Sequence, residues 1–119
     1  YPMKSIYPAI SKGSADWQDY FDDCDARTEY HYLNAGIWTF IGGFYVISLV
    51  KMKKFNEAKK QLNQLAQANL QHPKFSEWLD GKSGKPGRSS MQGYDGNQGW
   101  NAGIYIAAYE SAKRKKSLI

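Results

Sequence analysis

The sequence contains few of the residues that stabilise small domains through disulfide bonds or bound metal ions. It has one cysteine, Cys24, in 119 residues, so no intramolecular disulfide can form and disulfide scaffolds are excluded. Its two histidines, His31 and His72, are far apart and have no Cys or His neighbours at zinc-ligand spacing. The acidic run at 16–25 lacks the glycine and the distant glutamate of a calcium loop. We therefore predict no metal and no other cofactor.

Long hydrophobic runs are also missing. The longest uncharged stretch, 33–50, contains Asn34, Thr39, Ser48 and three glycines, and it is too polar for a membrane span of about 20 apolar residues. The start of the chain shows no initiator methionine and no basic-then-apolar signal pattern. We expect no membrane partner, a cytoplasmic location, and a chain that is part of a longer protein.

Basic residues outnumber acidic ones by 16 to 11, which gives a net charge of +5. The basic clusters, at 51–54, 59–60, 82–88 and 113–116, are scattered along the chain, and the aromatic residues lie in the apolar runs instead of between the charges. Nucleic-acid binding requires basic and aromatic side chains on one surface. We therefore expect no nucleic-acid partner.

The residues that are abundant are those of a folded chain. Hydrophobic residues make up 42% and aromatic residues 15% of the sequence, more than disordered segments contain. Residues 1–33 show little periodicity, so we predict an extended segment with a short helical turn near 16–21. Residues 34–119 are predicted to form a helical hairpin, an active-site loop and a final helix, all within a single segment of 1–119.

The first two predicted helices differ in how much of their surface is apolar. Over 35–51 apolar residues cover nearly the whole circumference, which is typical of a helix buried between other elements. Gly42-Gly43 in its middle indicates that another element approaches the backbone closely. The second helix, capped by Asn56 and ended by His72-Pro73, has one apolar stripe and one polar face.

The order of the helices predicts the fold. After a long loop over 74–96, which we expect to be functional, a third and mostly buried helix covers 97–113 and ends in lysine and arginine. Buried helices alternating with one-sided helices are typical of inner and outer layers. We therefore predict an all-α fold, a partial (α/α) toroid of three to four helices.

The long loop carries the best candidate for chemistry. Glu77 lies between Phe75 and Trp78, and aromatic neighbours can raise a carboxyl pKa or fix a carboxylate against a sugar ring. The alternative is an ordinary loop acid that binds a backbone N–H group. Asp80, directly before Gly81, fits a residue that forms a turn with its own backbone.

Three tryptophans could present flat apolar surfaces to sugar rings. They are Trp38, Trp78 and Trp100. Aromatic residues at helical spacing belong to the core more often than to a binding surface, so both interpretations stay open.

Three segments together resemble successive signatures near the C-terminal end of the catalytic domain in inverting glycoside hydrolases. They read Tyr-His-Tyr-Leu-Asn-Ala-Gly-Ile-Trp at 30–38, Phe-Ser-Glu-Trp-Leu-Asp-Gly-Lys-Ser-Gly at 75–84, and Gln-Gly-Trp-Asn-Ala-Gly at 98–103. The families are the glycogen-debranching (amylo-alpha-1,6-glucosidase) type and the related alkaline/neutral invertases. The resemblance covers nearly the whole chain and implies an (α/α)6 barrel, in agreement with the predicted helix layers.

The resemblance also implies roles for single residues. Glu77, the glutamate of the second signature, would be the general base that deprotonates the attacking water, opposite a general acid. That acid is an aspartate in an earlier part of the barrel, and the aspartates at 16–25 do not match its segment. Residues that would line or support the sugar site are Tyr32, Asn34, Trp38, Trp78, Gln98 and Trp100.

The sequence therefore predicts a glycoside hydrolase segment that carries the general-base half of an inverting reaction. The expected substrate is an alpha-glucan or a related oligosaccharide. The expected partners are this carbohydrate and either the rest of the barrel or further copies of the chain in a homo-oligomer. The alternative is a non-catalytic helical module that binds sugar or protein.

Overall fold

The fold is all-α, as predicted. A computed structural model describes residues 3–72, 74–87 and 97–119, and within these ranges it contains helices and isolated β-bridges but no strand. Pro73 and part of the predicted loop, 88–96, lie outside the described residues. The elements are α1 (Thr39–Lys51), α2 (Phe55–Gln71), α3 (Gly99–Arg114) and two 3-10 turns at Asp19–Phe21 and Asp25–Arg27.

Helix α1 lies between α2 and α3 and supplies half of the buried core residues. Its buried side chains pack against one stripe of α2 and against α3, and the buried residues of this core are Val46, Ile47, Leu49, Val50, Ala58, Leu62, Leu65 and Ala108. Partly buried residues of α3, among them Ile104 and Tyr105, pack on the same core. The opposite face of α2 is exposed, at Lys59, Lys60 and Gln67. This arrangement confirms the predicted inner position of α1 and outer position of α2, and it agrees with a partial toroid. Within the described residues, none of the helices combines the length and hydrophobicity that crossing a bilayer requires.

The ends of the helices differ from prediction in two places. Helix α1 begins at Thr39 instead of 35, because the preceding residues are extended and paired with another segment. Asn56 does not cap α2, since Lys54 occupies the N-cap position and no side chain caps the helix there. The end of α2 is confirmed, because the helix stops at Gln71 and His72 is its C-cap.

Helix α3 is less buried than predicted. Only Asn101, Ala108 and Ser111 are buried in it, whereas the side chain of Ile106 is 62% exposed. The sequence prediction of a mostly buried helix is therefore wrong for this chain, because among the helices of the described residues only α1 and, more weakly, α2 pack against α3.

The close approach predicted at Gly42-Gly43 is confirmed. Gly43 of α1 faces Ile104 of α3, and a Cβ atom added at Gly43 would lie 2.7 Å from Ile104 Cγ1. The missing side chain therefore sets how near the two helices lie. At Gly103, on the exposed side of α3, an added Cβ atom would have no neighbouring residue within 4 Å.

The two glycines give a matched pair of variants. We expect Gly43→Ala to lower the free energy of unfolding by about 1–3 kcal/mol, because the branched Ile104 side chain must move away from the added methyl group. Gly103→Ala adds the same methyl group in open space and should raise stability by up to about 1 kcal/mol through helix propensity. Urea unfolding followed by circular dichroism measures both, and a Gly43→Ala variant as stable as Gly103→Ala would contradict this packing.

Candidate active site

The three segments that carry the signatures meet at one end of the helices. Ile37 and Leu79 exchange two backbone hydrogen bonds, each 2.8 Å between nitrogen and oxygen. On the other side of the loop, the Gln98 N–H donates to the Phe75 carbonyl over 3.1 Å, and the Asn97 N–H donates to the carbonyl of Lys74. The segment 75–80 therefore lies between residues 30–38 and the start of α3.

Glu77 lies in the middle of this junction. Its side chain is half-buried, and both neighbours, Ser76 and Trp78, are buried. The Asn101 side chain of α3 donates from Nδ2 to the Ser76 carbonyl over 2.7 Å and to the Glu77 carbonyl over 3.5 Å. Asn101 thus fixes the backbone that carries Glu77. Sequence reasoning missed this role of Asn101, although the residue belongs to the third signature.

Tyr32, Trp38 and Trp78 form one aromatic cluster. The ring of Tyr32 lies 5.0 Å from that of Trp38 and 6.1 Å from that of Trp78, measured between ring centres. Trp38 Nε1 donates to the Tyr32 carbonyl over 3.0 Å. The Trp78 side chain is 2% exposed. Both indole rings therefore lie in the core of this chain, and their contact with a sugar stays a prediction.

Asn34 is buried and ties the N-terminal segment to the site. Its Oδ1 accepts a hydrogen bond from the Ile10 N–H over 2.8 Å. Its Nδ2 donates to the carbonyls of Ile10 and Ala26 over 2.8 and 3.1 Å. The amide is used for structure within this chain, and a direct role in sugar binding stays a prediction.

Gln98 and Trp100 lie at the start of α3. Gln98 is the N-cap residue and its carbonyl accepts from the Asn101 N–H over 3.0 Å. Trp100, in the first turn, is 54% exposed. Of the three candidate tryptophans it is the accessible one, and it lies on the helix that also contacts the Glu77 backbone.

Asp80 forms the turn predicted for it and also pairs with a histidine. Its Oδ1 accepts from the Ser83 N–H over 2.6 Å, from the Ser83 hydroxyl over 2.7 Å and from the Lys82 N–H over 3.1 Å. Its Oδ2 lies 3.2 Å from His31 Nε2. Nothing in the spacing of His31 and Asp80 along the sequence indicates this pair.

The surroundings of Asp80 lower the pKa of its carboxyl. Burial alone would raise that pKa, but the hydrogen bonds from Ser83 and Lys82 and the nearby His31 outweigh it, so the pKa lies below its ordinary value of 3.8.

Among the described residues, no group of three or more His, Cys, Asp or Glu side chains is arranged to bind a metal ion.

Backbone strain is concentrated in the same place. Tyr30, Tyr32, Ala35, Phe75 and Asn97 all have positive φ angles, between 42° and 68°. Each such residue costs about 1–3 kcal/mol, and strained residues of this kind cluster at functional sites. All five lie in or directly beside the three signature segments. The remaining non-glycine residues with positive φ in the described ranges, Lys53 and Lys115, follow helix ends, where this conformation is common.

The lowered pKa of Asp80 predicts a dependence of stability on pH. Above the ordinary pKa of 3.8 the ionised carboxyl stabilises the folded chain, and this contribution is lost as the pH falls through the lowered pKa. We expect Asp80→Asn to unfold more easily near pH 6 by about 1–2 kcal/mol, and the difference from the native sequence to shrink below about pH 4.

Urea unfolding at several pH values measures this difference. Asp22→Asn is the matched control, because the pKa of Asp22 is also lowered, through Lys12, but its carboxyl is exposed and should matter less. A difference between Asp80→Asn and the native sequence that stays constant from pH 6 to pH 3 would contradict the assignment.

Comparison with known proteins agrees with the resemblance of the signatures. Alkaline/neutral invertase C, mitochondrial, of Arabidopsis thaliana is 27% identical over 107 residues, which are 90% of this chain and 15% of that protein. The chain therefore spans about 15% of the length of this curated relative. No solved structure matches the chain. The family model of the alkaline and neutral invertases matches residues 1–114. The chain therefore belongs to the alkaline and neutral invertase family of glycoside hydrolases.

Proposed function

We propose that this chain supplies the general base, Glu77, to an active site that hydrolyses an O-glycosidic bond with inversion. The observation that carries the proposal is the position of Glu77, on a loop fixed from one side by Leu79 and Ile37 and from the other by Asn101. Invertases hydrolyse sucrose. Family membership therefore favours a sucrose-type substrate over the alpha-glucan expected from the sequence.

In the proposed mechanism Glu77 deprotonates a water molecule that attacks the anomeric carbon. In inverting enzymes a second carboxyl group protonates the leaving oxygen from the opposite face, about 6.5–9.5 Å away. One carboxylate cannot do both, so the general acid comes from another part of a longer polypeptide. The proposed duty of Asn101, Ile37 and Leu79 is to keep the Glu77 backbone still while the water is aligned.

The strained backbone supports this proposal. Folding alone gives no reason to place left-handed residues in all three signature segments, since each lowers stability. A rigid active-site loop does give such a reason, because catalytic groups have to be positioned before the substrate arrives.

We also propose that a larger assembly covers the apolar surface of the three helices. Phe44 of α1 is 48% exposed, Ile106 of α3 is 62% exposed and Leu70 of α2 is 81% exposed. Large apolar side chains that are this exposed favour contact with other protein. The covering surface is the rest of a longer barrel or, for the isolated chain, a second copy.

A cytoplasmic location stays a prediction, and the name of the Arabidopsis relative places that protein in the mitochondrion.

A sugar-binding module without chemistry is the second candidate. It is favoured by the exposed ring of Trp100, which can stack on a sugar without any catalytic carboxylate. In that case Glu77→Gln would leave every activity and affinity unchanged, whereas Trp100→Ala would abolish binding.

A site that has the general base but no general acid leads to two predictions about activity. The isolated chain should not hydrolyse sucrose, isomaltose or maltooligosaccharides, because these substrates need a general acid. It should release fluoride slowly from alpha-glucosyl fluoride, since fluoride leaves without protonation and only the base is required. A fluoride electrode measures this release.

The variants decide which carboxylate acts. Glu77→Gln should lower fluoride release by about 100-fold or more, the usual contribution of a general base, and Asp80→Asn, at the other carboxylate of the loop, should retain most of it. Release that does not exceed the uncatalysed rate, or that is equal in Glu77→Gln, contradicts the proposal. Sucrose turnover that depends on Glu77 would instead show that the chain contains a complete site.

The exposed apolar side chains predict self-association of the isolated chain. Light scattering should give a mass above that of a monomer, and the double variant Phe44→Ser, Ile106→Ser should move the mass toward the monomer, because it removes apolar surface from α1 and α3. A native chain that is monomeric and gives a well-dispersed NMR spectrum would contradict self-association.

A further inference from the structure

Basic clusters that are separated in the sequence come together at one end of the structure. Helices α1 and α2 form a hairpin, and the first turns of α2 lie beside the last turns of α3. The end of α1, the start of α2 and the end of α3 are therefore neighbours. The segments 51–60 and 109–116 contain nine basic and two acidic residues. The prediction that these charges are scattered is thus wrong for three of the four clusters.

The two acidic residues at this end are already engaged. Glu110 pairs with Arg114 over 3.0 Å, and the Glu57 carboxylate accepts a hydrogen bond from Gln61 over 2.8 Å. Within the described part of the chain, no ion pair involves Lys59, Lys113 or Lys115. With nine basic and two acidic residues, an excess of seven, this end of the bundle has a strong positive charge.

A groove between α2 and α3 opens on this end. Its volume is about 450 Å³, within the usual range for small-molecule sites. The residues that line it provide three kinds of side chain. The cationic ones are Lys59, Lys113 and Lys115, the amides are Asn56 and Asn63, and the apolar or aromatic ones are Phe55, Leu62, Tyr109 and Ala112.

Aromatic rings lie under two of the ammonium groups. Lys115 Nζ lies 5.6 Å from the centre of the Phe55 ring, and Lys113 Nζ lies 5.8 Å from the centre of the Tyr109 ring. Phe55 and Tyr109 also line the groove, so two of its three cations lie against aromatic rings of the same groove.

We propose that this groove binds a small phosphorylated molecule that has a ring or another apolar body. A phosphate monoester carries about two negative charges and three acceptor oxygens, which match three ammonium groups better than a single carboxylate does. The amides of Asn56 and Asn63 donate further hydrogen bonds, and Phe55, Leu62 and Tyr109 contact the organic part. The proposal does not depend on the glycosidase activity, because its residues lie at the opposite end of α3 from Asn101.

Phenyl phosphate is a suitable probe, and inorganic phosphate and phenol separate its two parts. In titrations of the 119-residue chain followed by amide NMR, phenyl phosphate should bind more tightly than either and should shift signals of residues that line the groove. Lys59→Gln, Lys113→Gln and Lys115→Gln should each weaken its binding by about two- to fivefold. All three are exposed surface changes and should leave the fold intact.

Two lysines outside the groove serve as controls. Lys60→Gln and Lys116→Gln remove the same charge from the same helix or its end without touching the groove lining, and they should leave affinity for phenyl phosphate almost unchanged. Three results would overturn the proposal in favour of diffuse attraction for anions. They are equal losses of affinity in all five variants, inorganic phosphate that binds as tightly as phenyl phosphate, and retention of the chain on DNA that all five variants lose equally.

Discussion

Two backbone hydrogen bonds between Ile37 and Leu79 organise the candidate active site. They join segments that are far apart in the sequence, and the side chains of both residues pack on Ala68 of α2 in a small core of their own. Successive side chains of an extended segment point in opposite directions. Since Ile37 and Leu79 point toward α2, the neighbouring Trp38 and Trp78 point away from it, and both contact Tyr32. The position of Glu77 follows, since it comes two residues before Leu79.

Two glycines of the loop have no space for a side chain, one because of the segment before α1 and one because of the loop itself. A Cβ atom at Gly81 would overlap the carbonyl of Ala35, and one at Gly87 would overlap the Trp78 ring. The loop and the segment before α1 therefore touch through their backbones. Such contacts limit motion around Glu77, the proposed general base. The basic groove lies at the other end of the helices and is open, which suits a ligand that binds and leaves.

Periodicity in the sequence was enough to find the three helices and to place α1 and α2 in different layers, but it did not predict how exposed α3 is. The all-round apolar pattern of α1, the single stripe of α2 and the close approach at Gly43 are local signals, and the structure confirms them. The turn at Asp80 is also local. The family resemblance assigns Glu77 the role of general base, which stays a prediction, and comparison with known proteins confirms the relation to glycoside hydrolases.

What the sequence could not show depends on contacts between distant residues. The contact of His31 with Asp80 and the hydrogen bonds of Asn101 to the loop join residues that have no recognisable spacing. The late start of α1 has the same origin, since pairing with Leu79 overrides helix propensity at 35–38. The basic end was missed because lysines on three segments become neighbours only after the hairpin forms.

The most direct test of this account is amide hydrogen exchange at Ile37 and Leu79 in the 119-residue chain. If their pairing organises the site, both N–H groups should exchange as slowly as those of the buried residues Val46 and Leu49 in α1, because all of them would open only when the chain unfolds. If Ile37 and Leu79 exchange as fast as exposed loop residues while α1 stays protected, the loop that carries Glu77 is not held in place, and the proposed active site is contradicted.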